Sequence, residues 1–258
     1  METTVDLGGV RTWYAVDGDG DPLVYLHGGF SDADELDPVR AMYAARFRVY
    51  SPDRRGHGRT PDVEGPIDFT ATATDTIAFL EDVVGGPADL VGFSDGATTA
   101  LHVALRRPDL VRRMVMISGQ YHYTGLLPDL FGANLHDAVA GLVQSPLAER
   151  YGRLSPDGAG HFPVVAEKVM RSAFEEPRLD VDELSRVQAR TLIVSADDDA
   201  IALEHTLDLY RGIPDAELAV VPGTSHVLIL DKPEFVARLV LDFLTTDPVP
   251  TRVPIRRR

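Results

Sequence analysis

Short apolar runs bounded by turn residues recur along the chain at positions 23–26, 47–51, 88–93, 114–118, 191–195 and 217–221, the pattern of strands buried on both faces. Ahead of them, residues 4–7 and 12–16 read as extended segments separated by Gly8-Gly9, a two-glycine hairpin signal. Between the runs lie stripes at helical spacing: Ile77, Leu80, Val83 and Val84; Ala97, Ala100, Leu101, Ala104 and Leu105; and Phe235, Leu239, Val240 and Phe243. Asp231 is the expected N-cap of the last stripe, with Pro233 in its first turn. Strands alternating with helices predict an α/β fold, a mostly parallel sheet with helices on both faces. The rhythm breaks between about residues 120 and 189, where no buried strand is evident and helical stretches at 135–143 and 164–174 are separated by Pro and Gly. Residues 1–119 and 190–245 therefore read as one α/β core, 120–189 as an inserted helical cap, and 246–258 as a frayed tail.

Composition narrows the function classes. A chain of 258 residues with 44% hydrophobic and 25% charged positions fits one large globular domain with a modest insertion. The net charge of −15 repels nucleic-acid phosphates and anionic lipid, and only Arg252 and Arg256 to Arg258 offer a local basic cluster. The absence of Cys removes disulfides, thiol nucleophiles and cysteine metal sites. Residues 1–7 carry no signal-peptide pattern, and no stretch approaches the roughly 18 apolar residues of a membrane span. The expectation is a cytoplasmic protein acting on a small-molecule substrate, with no nucleic-acid or membrane partner. Its oligomeric state is not encoded in these patterns. Asp17-Gly18-Asp19-Gly20-Asp21 has the look of a calcium loop, but Pro22 and Gly28 stand where the turn glycine and the final Glu ligand belong, so it reads as a turn.

The chemistry is concentrated at Gly92-Phe93-Ser94-Asp95-Gly96, directly after the run 88–91 and directly before the helical stripe from Ala97. A Ser on so sharp a strand-to-helix turn takes a strained backbone and needs small residues on either side. Its hydroxyl then projects above the carboxyl ends of the strands, beside a helix N-terminus whose free N–H groups favour negative charge. A Ser hydroxyl needs an imidazole base, itself oriented by a carboxylate. Asp197-Asp198-Asp199 follows the run 191–195, and Pro222-Gly223-Thr224-Ser225-His226 follows the run 217–221, giving the order Ser, acid, His. His27-Gly28-Gly29-Phe30 after the run 23–26 supplies a second backbone donor beside the amide of Asp95. Gly29 is the favoured donor and Phe30 its neighbour.

In order and context these motifs resemble the α/β-hydrolase superfamily over roughly residues 2 to 245, with a cap. Asp53-Arg54-Arg55-Gly56-His57-Gly58 resembles the family's D-x-R-G-x-G turn. The resemblance implies an α/β-hydrolase fold and a serine hydrolase, with Ser94 as nucleophile, His226 as base and Asp199 as acid. Asp199 is selected over Asp198 by likeness to a G-x-x-D-P pattern, although Ala replaces both the Gly and the Pro. The Ser-Asp-Gly elbow further resembles the biphenyl-hydrolase-like amino-acid-ester hydrolases, exemplified by valacyclovir hydrolase, which implies that Asp95 binds a substrate ammonium. The rival reading pairs Asp95 with a nearby Arg or the local backbone.

The implied reaction is hydrolysis of a carboxylic ester or activated amide through an acyl-enzyme, without metal or cofactor. Carbon–carbon bond hydrolysis and cofactor-free perhydrolysis use the same three residues, and a low-turnover ligand receptor of the same fold is the alternative from another class. His27 and His57 read as loop braces, and His102 as a residue of the elbow helix. His122, His136, His161 and His205 lack metal-ligand spacing. Tyr121 and His122, just past the run ending at Ser118, are the best pocket candidates, while Tyr123, Phe131 and Phe162 read equally as cap core.

Overall fold

The computed structural model describes residues 1–127, 134–250 and 252. Phe131 and Arg256 to Arg258 therefore lie outside the described residues. In chain order the elements are β1 (Glu2–Leu7), β2 (Val10–Asp17), β3 (Asp21–Leu26), α1 (Arg40–Ala44), β4 (Phe47–Pro52), α2 (Phe69–Phe79), β5 (Ala88–Phe93) and α3 (Asp95–Arg106). They continue with β6 (Val111–Ile117), α4 (Leu135–Val143), α5 (Pro146–Leu154), α6 (Phe162–Glu175), β7 (Arg190–Asp198), α7 (Leu203–Gly212), β8 (Ala216–Ser225), α8 (Leu228–Asp231) and α9 (Pro233–Thr245).

The strands form one sheet in the order β1-β2-β4-β3-β5-β6-β7-β8. Pairing is antiparallel at β1/β2 and β2/β4 and parallel from β4 through β8. Gly8 and Gly9 take φ of +62° and +93°, and Leu7 pairs with Val10, as the two-residue hairpin turn requires.

Side-chain alternation sends successive strand residues to opposite faces. Val24, Leu26, Leu90, Met114, Met116 and Ile193 pack with α2, α3 and α7. Leu23, Tyr25, Val91, Phe93, Val115, Ile117, Leu192 and Val194 pack with α1, α8 and α9. Each large apolar side chain buried in these layers contributes about 1.5–3 kcal/mol. This double coverage explains why the central strands read as continuous apolar runs.

Between β6 and β7, helices α4, α5 and α6 enclose a third apolar cluster that includes Leu142, Tyr151, Phe162 and Met170, with Phe30 and Ile67 of the core packed against it. Polar ties fasten this layer to the core. Arg150 grips Asp32 through two bonds of 2.6 Å, and Lys168 reaches Asp62 at 2.7 and 2.8 Å, beside His161 at 2.9 Å.

One local expectation is corrected. Asp231 does not cap α9, whose N-cap residue is Lys232 without a side-chain bond. Its carboxylate turns back to the chain preceding His226, where it accepts Ser225 N at 2.7 Å and Ser225 Oγ at 2.8 Å. Among the described residues no helix is long and apolar enough to cross a membrane.

Close approach of backbone fixes the elbow between β5 and α3. A Cβ at Gly96 would stand 2.0 Å from Leu26 O, and one at Gly92 would stand 2.4 Å from Gly96 O. At Gly141, inside α4, nothing lies within 4 Å of such a carbon. Gly96→Ala should therefore lose about 1–3 kcal/mol or more of unfolding free energy, while Gly141→Ala gains roughly 0.5–1 kcal/mol. Urea unfolding of the two variants reads both signs, and equal midpoints would contradict the packing at the elbow.

Candidate active site

A single residue turns the chain from β5 into α3. Ser94 has φ +51° and ψ −117°, a conformation disfavoured for a residue with a side chain. It is held there by its amide donating to Ile117 O at 2.8 Å and by its carbonyl accepting Ala97 N at 2.9 Å and Thr98 N at 3.1 Å. The Ser94 hydroxyl lies 3.0 Å from His226 Nε2, and His226 Nδ1 lies 2.7 Å from Asp199 Oδ1. Because an ionised carboxylate only accepts, Nδ1 carries the proton and Nε2 is left to accept from Ser94 Oγ.

The Asp199 carboxylate is 2% exposed and receives more than the imidazole. Ser118 Oγ donates to its Oδ2 at 2.5 Å and Ala196 N at 3.0 Å, and Ile201 N donates to Oδ1 at 3.2 Å. Burial pushes this carboxyl up, but the bond to His226, its charge and the Ser118 and Ala196 donors outweigh that and hold the pKa below the usual value. Asp198 is exposed at the end of β7 and pairs in register with Ser225, so Asp199 is the member of the acidic triplet that meets His226.

The loop bearing His226 is pinned by two aspartates, Asp197 and Asp231, to which the sequence patterns gave no such role. Asp197 accepts Gly223 N at 2.8 Å and Thr224 N at 3.0 Å, and Asp231 holds Ser225. The Phe93 ring packs on the imidazole with centroids 5.4 Å apart. The acidic triplet was a signal for Asp197, whereas nothing in the sequence pointed Asp231 backwards.

On the other side of Ser94 lies the loop at His27 to Phe30. His27 is fully buried, bridging Gly28 O at 2.7 Å through Nδ1 and Arg54 N at 3.0 Å through Nε2. Burial, with Arg54 and His57 nearby, pushes its pKa well down, so it stays a neutral brace. Glu35 accepts Tyr25 OH at 2.7 Å and Gly28 N at 3.3 Å, and Arg54 Nη2 donates to Gly28 O at 3.0 Å. Phe30 has φ +59°. Among the described residues the amides of Gly29, Phe30 and Asp95 have no acceptor, so all three are free to meet a ligand.

The Asp95 carboxylate lies against this loop, 2.7 Å from where a Gly29 Cβ would stand. It makes no hydrogen bond or ion pair within 4 Å among the described residues. Burial raises its pKa, opposed by the charges of Arg54 and His226.

The two pocket candidates have other partners. Tyr121 stacks on His205 at 4.0 Å between centroids, and its amide donates to His205 Nε2 at 3.1 Å. His122 stacks on Tyr123 at 4.6 Å and its Nδ1 lies 2.9 Å from Thr124 Oγ1. No hydrogen bond or ring contact joins either to Ser94 or His226 among the described residues. Nor does any group of three or more His, Cys, Asp or Glu there gather as metal ligands would.

A model described as the alpha/beta hydrolase family matches residues 23–239. The chain belongs to the alpha/beta hydrolase family. It is 27% identical over 264 residues to the 2-(acetamidomethylene)succinate hydrolase of Mesorhizobium japonicum, covering 93% of this chain and 94% of that protein. Human serine hydrolase BPHL is 27% identical over 254 residues, covering 93% and 85%. Among solved structures, the serine hydrolase CarC, involved in carbazole degradation, superposes with a TM-score of 0.78 at 23% identity, covering 95% of this chain and 98% of that one. That likeness bears on the fold.

In this alpha/beta hydrolase, α5 and α6 meet the glycine loop at a small cleft, partly open to solvent, lined by Phe30, Ser31, His57, Arg150 and Phe162 among others. Behind the loop, buried Asp53 accepts Ala33 N and Arg59 N, both at 2.7 Å, and Arg59 Nη1 at 3.2 Å. Burial still pushes its pKa up to about 6 from 3.8, against those donors.

Between roughly pH 4 and 6 the folded chain thus keeps a proton on Asp53 that the unfolded chain has released. The resulting stability is present at the acid end of that window and is lost as pH rises through about 6. Asp53→Asn should remove this component. The wild type is then expected to lose on the order of 1–3 kcal/mol relative to the variant between about pH 4 and pH 7, read by urea unfolding at both. Parallel pH dependences would contradict the assignment.

Proposed function

We propose that the chain is a serine hydrolase that cleaves carboxylic esters or activated amides through an acyl-enzyme. The observation that carries this reading is the continuous hydrogen-bonded line from Ser94 through His226 to Asp199. Ser94 Oγ attacks the substrate carbonyl while His226 Nε2 takes its proton. The imidazolium that forms is stabilised by Asp199, which also keeps Nδ1 protonated. The amides of Asp95 and Gly29, with Phe30 beside them, donate to the oxyanion of the tetrahedral intermediate. His226 then protonates the leaving alcohol or amine. A water, activated by the same nitrogen, attacks the acyl-enzyme and frees Ser94 and the acid.

The favoured substrates are amino-acid esters. A carboxylate beside the forming oxyanion opposes the reaction unless it meets a cation, and Asp95 lies there without a hydrogen bond among the described residues. A substrate ammonium would balance it, in keeping with the resemblance of the Ser-Asp-Gly elbow to the amino-acid-ester hydrolases.

Steady-state kinetics on p-nitrophenyl butyrate and on paired aminoacyl and des-amino esters tests both levels. Ser94→Ala should lower kcat by on the order of 10⁴ or more, and unchanged turnover would reject the hydrolase reading. The wild type should prefer the amine-bearing ester by about 10- to 100-fold in kcat/KM, and Asp95→Asn should abolish that preference. A preference that is absent, or that survives in Asp95→Asn, rejects the ammonium site while leaving the first result standing.

A further inference from the structure

Asp199 must keep one orientation if the imidazole between it and Ser94 is to point correctly, and the turn after β6 is built to enforce that. Ser118, the first residue beyond β6, sets its hydroxyl 2.5 Å from Asp199 Oδ2, while Oδ1 is the oxygen that meets His226. The backbone of Ser118 has φ +51°, in the left-handed region that side chains disfavour. A glycine would relieve it, so the chain carries a hydroxyl where conformation alone favours no side chain at all.

The same turn is bonded to both neighbouring segments. Ile117 O accepts the Ser94 amide, and the Ser118 amide donates to Val194 O on β7, each at 2.8 Å. A Cβ at Gly119 would stand 2.7 Å from Ala97 Cβ, so the turn lies directly on α3. Thr98 Oγ1 bonds Gln120 O at 3.1 Å and Gln120 N at 3.2 Å. One short turn therefore spaces the segment bearing Ser94 from the segment leading to Asp199.

We propose that Ser118 is a positioning residue for the hydrolysis, its hydroxyl fixing the plane of the Asp199 carboxylate so that Oδ1 faces His226. This rests on reading Ser94, His226 and Asp199 as the reacting set. Ser195 is the weaker partner, 3.3 Å from Asp199 Oδ2 with its hydroxyl already donating to Ala196 O at 3.0 Å. The Ala196 amide holds the same Oδ2 at 3.0 Å and the Ile201 amide holds Oδ1 at 3.2 Å, so Ser118 supplies the shortest of the bonds from outside the imidazole that set the carboxylate plane. Asp95 on α3 interacts electrostatically with His226 and with Arg54, and neither Asp95 nor Arg54 changes in the variants below.

Ser118→Ala and Ser118→Gly, measured beside Ser94→Ala on p-nitrophenyl butyrate from about pH 5 to 9, separate positioning from folding. Alanine removes the hydroxyl and keeps the strain, whereas glycine removes both, so Ser118→Gly should melt no lower than Ser118→Ala. Both should lose about 10- to 100-fold in kcat with KM changed by less than about twofold. With Ser94→Ala inactive, a folded Ser118 variant that keeps wild-type kcat, or whose loss lies in KM and not in kcat, overturns the role of Ser118. Turnover persisting in Ser94→Ala overturns instead the reading on which it rests.

Discussion

Ser94 is held in a backbone conformation that its own side chain disfavours, and much of the surrounding structure serves to keep it there. Such strain costs of order 1–3 kcal/mol, a sizeable fraction of the roughly 5–15 kcal/mol that stabilises a typical domain. It is maintained by the Ser94 amide bond to Ile117 O, by the carbonyl that starts α3, and by two glycines whose missing Cβ atoms let β3, β5 and α3 meet backbone to backbone. Relaxing any of these would lower the hydroxyl into the turn and take it out of line with His226.

Carboxylates do the rest of the positioning, and each does it by accepting backbone N–H groups in a fixed direction. Asp197 and Asp231 flank the His226 loop, Asp199 meets the imidazole, Glu35 holds the Gly28 amide, and Asp53 holds Ala33 and Arg59. The acidity of the chain therefore has a local use besides its long-range effect. Arg54 sits buried among this charge, its own pKa lowered by burial and raised by Asp95 and Glu35. The glycine loop is thus braced by a cation below and faced by an acid beside it, and an ammonium-bearing ester would complete that balance in the proposed reaction.

The central strands and the elbow were legible because both leave local marks. Strands covered on two faces must be apolar throughout, and a Ser set between glycines, with an apolar run before it and a helical stripe after it, marks a turn too sharp for larger neighbours. Strand ends were not legible: the apolar run 191–195 stops short, while β7 continues to Asp198 because its pairing with β8 reaches Ser225. Asp231 looked like a helix cap by position, but its oxygens are taken by Ser225, six residues back. Ser118, Glu35 and Arg150 act through partners 81, 7 and 118 residues away in the chain, contacts with no periodic or motif signature. Tyr121, in the loop after β6, is stacked on His205 of α7, a pairing that spacing does not reveal.

Reaction with a fluorophosphonate, followed by peptide mapping with mass spectrometry, tests the activation of Ser94 most directly, because a serine hydroxyl without an aligned base does not react with such reagents at neutral pH. A single adduct on the peptide containing Ser94 is expected in the wild type, and none in His226→Ala. Labelling of another residue, no labelling of the folded wild type, or equal labelling of the His226 variant would contradict it.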